Sequence, residues 1–113
     1  MSKTLYLPLK KEWYEMIESG VKTEEYREIV PYWCVRLLRP VVGMEPFIHH
    51  PSPFISHGKA FKEFDAVKFS YGYTKRTMTI ECKGISIGKG NLEWGAPNKD
   101  VFIIKLGKRL WDK

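Results

Sequence analysis

From Phe64 onward the sequence carries strand and turn signals but no stretch of helical periodicity. Phe64–Tyr71 and Thr77–Ile87 are strand-like, and Gly72–Arg76 between them reads as a turn with a basic Lys75-Arg76 tip. The second strand is long enough to bend, and Gly84 is where a bend is expected. Gly88–Lys99 reads as a loop holding Asn91, Glu93, Trp94 and Pro97. Val101–Leu106 is a strand with an apolar VFII centre, followed by a basic tail containing Lys108, Arg109 and Lys113. Sheet of this extent needs cover on at least one face, and only the N-terminal part offers helices to supply it.

That N-terminal part begins with a short strand, Thr4–Leu9. Lys10–Ser19 follows as a helix, with Leu9, Trp13, Met16 and Ile17 on one stripe and charged residues elsewhere. Gly20 stands where a left-handed residue ends a helix, and Lys22–Ile29 alternates as a strand does. Pro31 opens a second short helix that Pro40 stops, and Val41–Lys62, rich in Pro, Gly and His, is expected to be a long ordered loop. The 113 residues suit one domain spanning the whole chain. The expected class is α+β: a small mixed β-barrel, closed or nearly closed to remove its strand edges, with two short helices in the N-terminal half.

Charge and composition narrow the partners. The net charge is +6, from 19 Lys and Arg against 13 Asp and Glu, and a small basic domain attracts polyanions, nucleic acid first among them. Acidic residues crowd between Glu12 and Glu28, whereas Thr74–Lys89 carries Lys75, Arg76, Lys83 and Lys89 against Glu81 alone. Four Trp, six Tyr and six Phe exceed what a core of this size needs, so some rings are expected at a contact surface. No apolar run approaches the roughly 20 residues that cross a bilayer, and the N-terminus lacks a signal-peptide pattern, so the expected location is cytoplasmic. Cys34 and Cys82, far apart and outside any CxxC pattern, are expected to be buried thiols. His49, His50 and His57 match no zinc spacing and read as loop histidines, so neither a metal nor a cofactor is expected.

The segment Gly20–Arg27, GVKTEEYR, has the form G-x-K-x-x-E-x-R. In a strand Glu25 and Arg27 share a face, while Lys22 lies just after the glycine turn, where alternation is not yet imposed. A turn there brings its ammonium toward Glu25. Two readings fit such a trio: a salt-bridge cluster on a solvated strand, or a polar ligand site with Arg27 suited to phosphate or carboxylate. On this segment, and on the order strand, helix, signature strand and then mostly sheet, the chain resembles the ASCH family, similar in fold to the PUA RNA-binding barrel. TMTIECKG (Thr77–Gly84) and the final VFIIKL resemble the later barrel strands of that family. The resemblance implies a ligand cleft lined by the signature. In family members that hydrolyse N4-acetylcytidine, the lysine works with a threonine three residues on and a glutamate from a later insert. Here that third position is Glu25, Thr23 adjoins Lys22, and Glu93 lies in a comparable later loop.

Tyr71, Tyr73, Lys75 and Arg76 alternate aromatic and basic chemistry around Gly72, as single-strand binders do, or else cover the core and solubilise a hairpin tip. Trp94 is either a lid over the cleft or a plug at the barrel end. The expected function is an RNA- or nucleotide-binding module in which Lys22 and Arg27 contact phosphate or base edges, Glu25 orients them and the tyrosines and Trp94 stack. The alternative is a hydrolase of a modified nucleoside or of single-stranded RNA, with Lys22 as base and Glu25, or Glu93, as second acid/base.

Overall fold

The computed structural model describes residues 3–39 and 61–110. The expected Val41–Lys62 loop, apart from its last two residues, and the three histidines lie outside them. In chain order the elements are β1 (Thr4–Leu9), α1 (Lys11–Glu18), β2 (Glu24–Arg27) and α2 (Pro31–Leu37), then β3 (Ala66–Tyr71), β4 (Thr77–Lys89), a 3-10 turn (Leu92–Trp94) and β5 (Asp100–Arg109). The class is therefore α+β, and none of the described helices is long and apolar enough to cross a membrane.

The strands form one mixed sheet in the order β1-β3-β4-β5-β2, with β1 parallel to β3 and the other pairs antiparallel. Among the described residues the sheet curls into a half-barrel and does not close, since β1 and β2 remain its two edges. Two register shifts between Ile80 and Gly84 bend β4, and Gly84 takes a φ of 137° that a side chain would resist. The bend expected at this glycine is therefore present.

β1 shows why an edge suits its sequence. Leu5, Leu7 and Leu9 turn into the core while Tyr6 and Pro8 face out. The N and C=O of one strand residue point to the same side. The Pro8 carbonyl accepts from Arg27 Nη2 (3.2 Å) and Leu9 O takes Gly72 N (2.8 Å), so Pro8 faces the outer edge, where its missing N–H costs no ladder bond.

The core lies between the concave face of the sheet and the two helices, around Phe69, Met78, Phe102 and Ile104, all fully buried. In α1 the buried residues are Tyr14 and Ile17, with Trp13 and Met16 half-buried. The apolar stripe is thus centred on Tyr14, which the sequence stripe omitted, and its ring meets Tyr71 edge-on at 5.3 Å. Counted by polarity alone, a tyrosine whose helical neighbours include Lys10, Lys11 and Glu18 reads as surface. α2 starts at Pro31 and buries Cys34 and Leu37, but Leu38 is already extended, two residues before Pro40.

Residues 101–104 are buried on both sides of β5: Phe102 and Ile104 face the main core, while Val101 and Ile103 meet Tyr26 and Ala96 in a second cluster. This double cover accounts for the unbroken VFII run. β5 also continues through Lys108 and Arg109, residues the sequence placed in a tail. Backbone pairing with β4 carries it there, Arg109 lying opposite Ile80.

Candidate functional site

The signature segment lies between the end of α1 and the outer edge of the sheet. Gly20 adopts a φ of 84°, its N–H returns to Ile17 O, and the next captured amide is Lys22 N on Met16 O (3.0 Å). Lys22 therefore precedes β2 and is held against the helix. Within β2, Glu25 pairs with Ile104 and Arg27 with Phe102, so both side chains point to the main core face, while Tyr26, opposite Ile103, points to the other.

Glu25 is the centre of the cluster. Its Oε1 lies 3.3 Å from Lys22 Nζ and its Oε2 accepts from Arg27 Nη2 at 2.7 Å. Lys22 Nζ also donates to the Trp94 carbonyl at 2.5 Å and sits 4.6 Å from the Tyr26 ring centroid and 5.3 Å from that of Trp13. The lysine is 2% exposed and the glutamate 6%. Burial pushes the Lys22 ammonium below the usual lysine range, against the pull of Glu25. Burial likewise raises the Tyr26 hydroxyl, to about 12.

Tyr26 connects the cluster to the loop after β4. Its hydroxyl donates to Glu24 Oε1 (2.8 Å) and accepts from Asn91 N (3.0 Å), while Asn91 Oδ1 caps the 3-10 turn on Glu93 N (2.9 Å). Two glycines permit the close packing: a Cβ on Gly90 would stand 2.5 Å from the Tyr26 ring, and one on Gly95, whose φ is 96°, 2.9 Å from Trp13.

A cleft of about 460 Å³ opens beside this assembly, with Arg27, Tyr26, Val30, Trp33, Gly95 and Pro97 among its lining. The Arg27 guanidinium lies 5.0 Å from the Trp33 ring centroid, and its Nε is buried without a hydrogen-bond partner. Glu28, also at the cleft, is paired with Lys99 at 3.0 Å. The signature trio is thus brought together, but unequally. Arg27 reaches the cleft, whereas Lys22 and Glu25 stand behind it as a buried support.

The other expected site residues divide. Trp94 joins the cluster through its carbonyl, and its half-buried ring packs on the Tyr26–Ile103 group. Glu93 is exposed. The Tyr71–Arg76 group belongs to a different part of the surface: Arg76 forks onto Glu18 (2.9 and 3.1 Å) and lies 5.2 and 5.0 Å from the Tyr14 and Tyr71 ring centroids. Tyr73 is 98% exposed, and Lys75 beside it is exposed too. Among the described residues no group of three or more His, Cys, Asp and Glu is placed to hold a metal ion.

Trp13, Trp33 and the Gly95–Pro97 wall were not read from the sequence as site residues. The available signal was the surplus of aromatic residues, and nothing in it distinguishes Trp33 from the other rings. No family model, curated protein or solved structure matches the chain.

Proposed function

We propose that the protein is an RNA- or nucleotide-binding module of the ASCH, PUA-like type, with its ligand held in the cleft beside Arg27. One observation carries this reading. A partly exposed arginine, Arg27, lines the cleft with its guanidinium next to the Trp33 ring and fixed from behind by Glu25. A charge-assisted hydrogen bond from the partly exposed Arg27 side chain to a phosphate or base-edge oxygen contributes about 1.5–3 kcal/mol. Fixing the arginine in advance lowers the ordering cost of binding. Base stacking on an aromatic face contributes about 1–3 kcal/mol per base, and the half-buried Trp33 ring supplies such a face. The net charge of +6 favours the same ligands, and exposed Tyr73 with Lys75 offers a second contact for a longer strand.

The hydrolase alternative needs a base that a substrate can reach. Lys22 is buried and engaged by the Trp94 carbonyl and Glu25, so the binding reading is better supported. Fluorescence anisotropy with a labelled single-stranded RNA at low salt tests it. Binding is expected to weaken steeply with salt and to fall at least tenfold in Arg27→Ala and in Trp33→Ala. Absence of binding at low salt, or affinity unchanged in both variants, overturns the proposal.

A further inference from the structure

The cleft wall formed by Gly95 and Pro97 follows directly on Trp94, whose carbonyl is held by Lys22. From this juxtaposition we infer that Lys22 is a positioning residue for the cleft, and that the Lys22–Glu25–Arg27 chain couples occupancy of the cleft to the placement of that wall. The inference rests on the cleft being a ligand site.

A lysine taken almost wholly out of water needs partners for its ammonium, and a flexible four-carbon stem is poor at holding a position unless packing fixes it. Both conditions are met at Lys22. Its backbone is tied to α1 by the Lys22 N–H on Met16 O, and the ammonium lies near two aromatic rings, a carboxylate and a carbonyl. The loop it holds has two described hydrogen bonds to the rest of the fold, the Trp94 carbonyl on Lys22 and the Asn91 amide on Tyr26, besides the packing of Ala96 and the Trp94 ring on the Tyr26–Val101–Ile103 cluster and the Lys99–Glu28 ion pair at its end. Both hydrogen bonds come from the signature segment itself. Gly90 and Gly95 flank the turn and let it lie flat on Tyr26 and Trp13.

The shared carboxylate makes the support responsive. Glu25 divides its two oxygens between Lys22 and Arg27. An anionic group arriving at Arg27 competes with Glu25 for the guanidinium and leaves more of the carboxylate's charge to Lys22. The ammonium is then better held, and so is the carbonyl it binds. A filled cleft accordingly has a firmer wall than an empty one, and the effect needs no contact between ligand and loop.

Hydrogen exchange of the full chain, read by mass spectrometry on a peptide covering residues 90–97, tests both parts. Without ligand, Lys22→Met is expected to speed exchange there at least tenfold, with β3 and β4 unchanged, and Arg27→Gln to slow it. With the single-stranded RNA probe, native protein is expected to gain at least threefold protection in this peptide, and Glu25→Gln, saturated with probe at the higher concentration its weaker binding requires, to gain none. Unchanged exchange in Lys22→Met overturns the positioning role. Probe binding without added protection, or protection that persists in Glu25→Gln, overturns the coupling and leaves the cleft reading intact. Failure of the probe to bind removes the cleft reading and with it the coupling, while the ligand-free variants still decide whether Lys22 positions the loop.

Discussion

Replacing Lys22 with methionine removes the ammonium and keeps most of the apolar stem, so the change isolates what the charge and its bonds do. Moving an ammonium out of water costs several kcal/mol even after relaxation. Glu25 at 3.3 Å, the Trp94 carbonyl at 2.5 Å and the rings of Tyr26 and Trp13 offset that cost. Desolvation nevertheless leads, because the Lys22 pKa is lowered and not raised. The charge by itself is thus no net source of stability, and methionine relieves its burial. What methionine cannot do is donate to the Trp94 carbonyl, and an acceptor left unmet costs about 1–3 kcal/mol. Glu25 keeps Arg27 at 2.7 Å and is not orphaned. The expected net loss is about 1–2 kcal/mol, or roughly 5–15 °C in Tm for a domain of this size. Urea unfolding at pH 7 measures it, with a lower midpoint and an unchanged slope. A midpoint equal to or above that of native protein would refute the reasoning, since Trp94 would then not depend on Lys22. A second check follows from the sign of the shift. With the folded pKa below the unfolded value, the unfolded chain binds more protons between the two, so Lys22 adds stability as pH rises through that window. This alkaline gain should be absent from Lys22→Met.

Tyr26 acts in the opposite sense: its folded pKa of about 12 lies above the ordinary tyrosine value of 10.0, so its contribution is complete below pH 10 and is lost as pH rises toward 12, which Tyr26→Phe should show as a flattened stability profile in that range. Gly90→Ala places a methyl 2.5 Å from the Tyr26 ring and 2.7 Å from Ala96 Cβ, and is expected to cost about 1–3 kcal/mol by calorimetry, with raised exchange in the loop. Phe69→Ala, at a fully buried centre of the core, is expected to cost about 3–5 kcal/mol in urea unfolding. Cys34 is buried and its thiol is raised by that burial, so it should resist a thiol reagent in native protein and react once urea unfolds the chain.

Local signals located the elements well where one residue decides a boundary. Gly20 ends α1, Pro31 begins α2, and the alternating leucines of β1 give its limits and inward face. Each depends on sterics within a few residues, which a sequence displays directly. Boundaries set by pairing were read less well. β5 extends to Arg109 and β4 to Lys89 because ladder bonds with a neighbour carry polar residues along, whatever their own preference. Whether the barrel was closed or only nearly so depended on where β1 and β2 would lie, and the structure leaves them at opposite ends of the strand order.

The same division runs through the site. Strand alternation put Glu25 and Arg27 on one face and left the direction of Lys22, just after the glycine turn, open; the structure brings its ammonium to Glu25. Sequence alone offered no means of ranking them by exposure. Lys22 is buried because Trp94, 72 residues away, folds back over it, and Arg27 is left at the cleft because Trp33 and the Gly95–Pro97 wall stand apart on either side. Face and spacing follow from the chain's own geometry. Which charge faces water is decided by what packs over it, and those atoms come from parts of the chain that only tertiary contacts bring near.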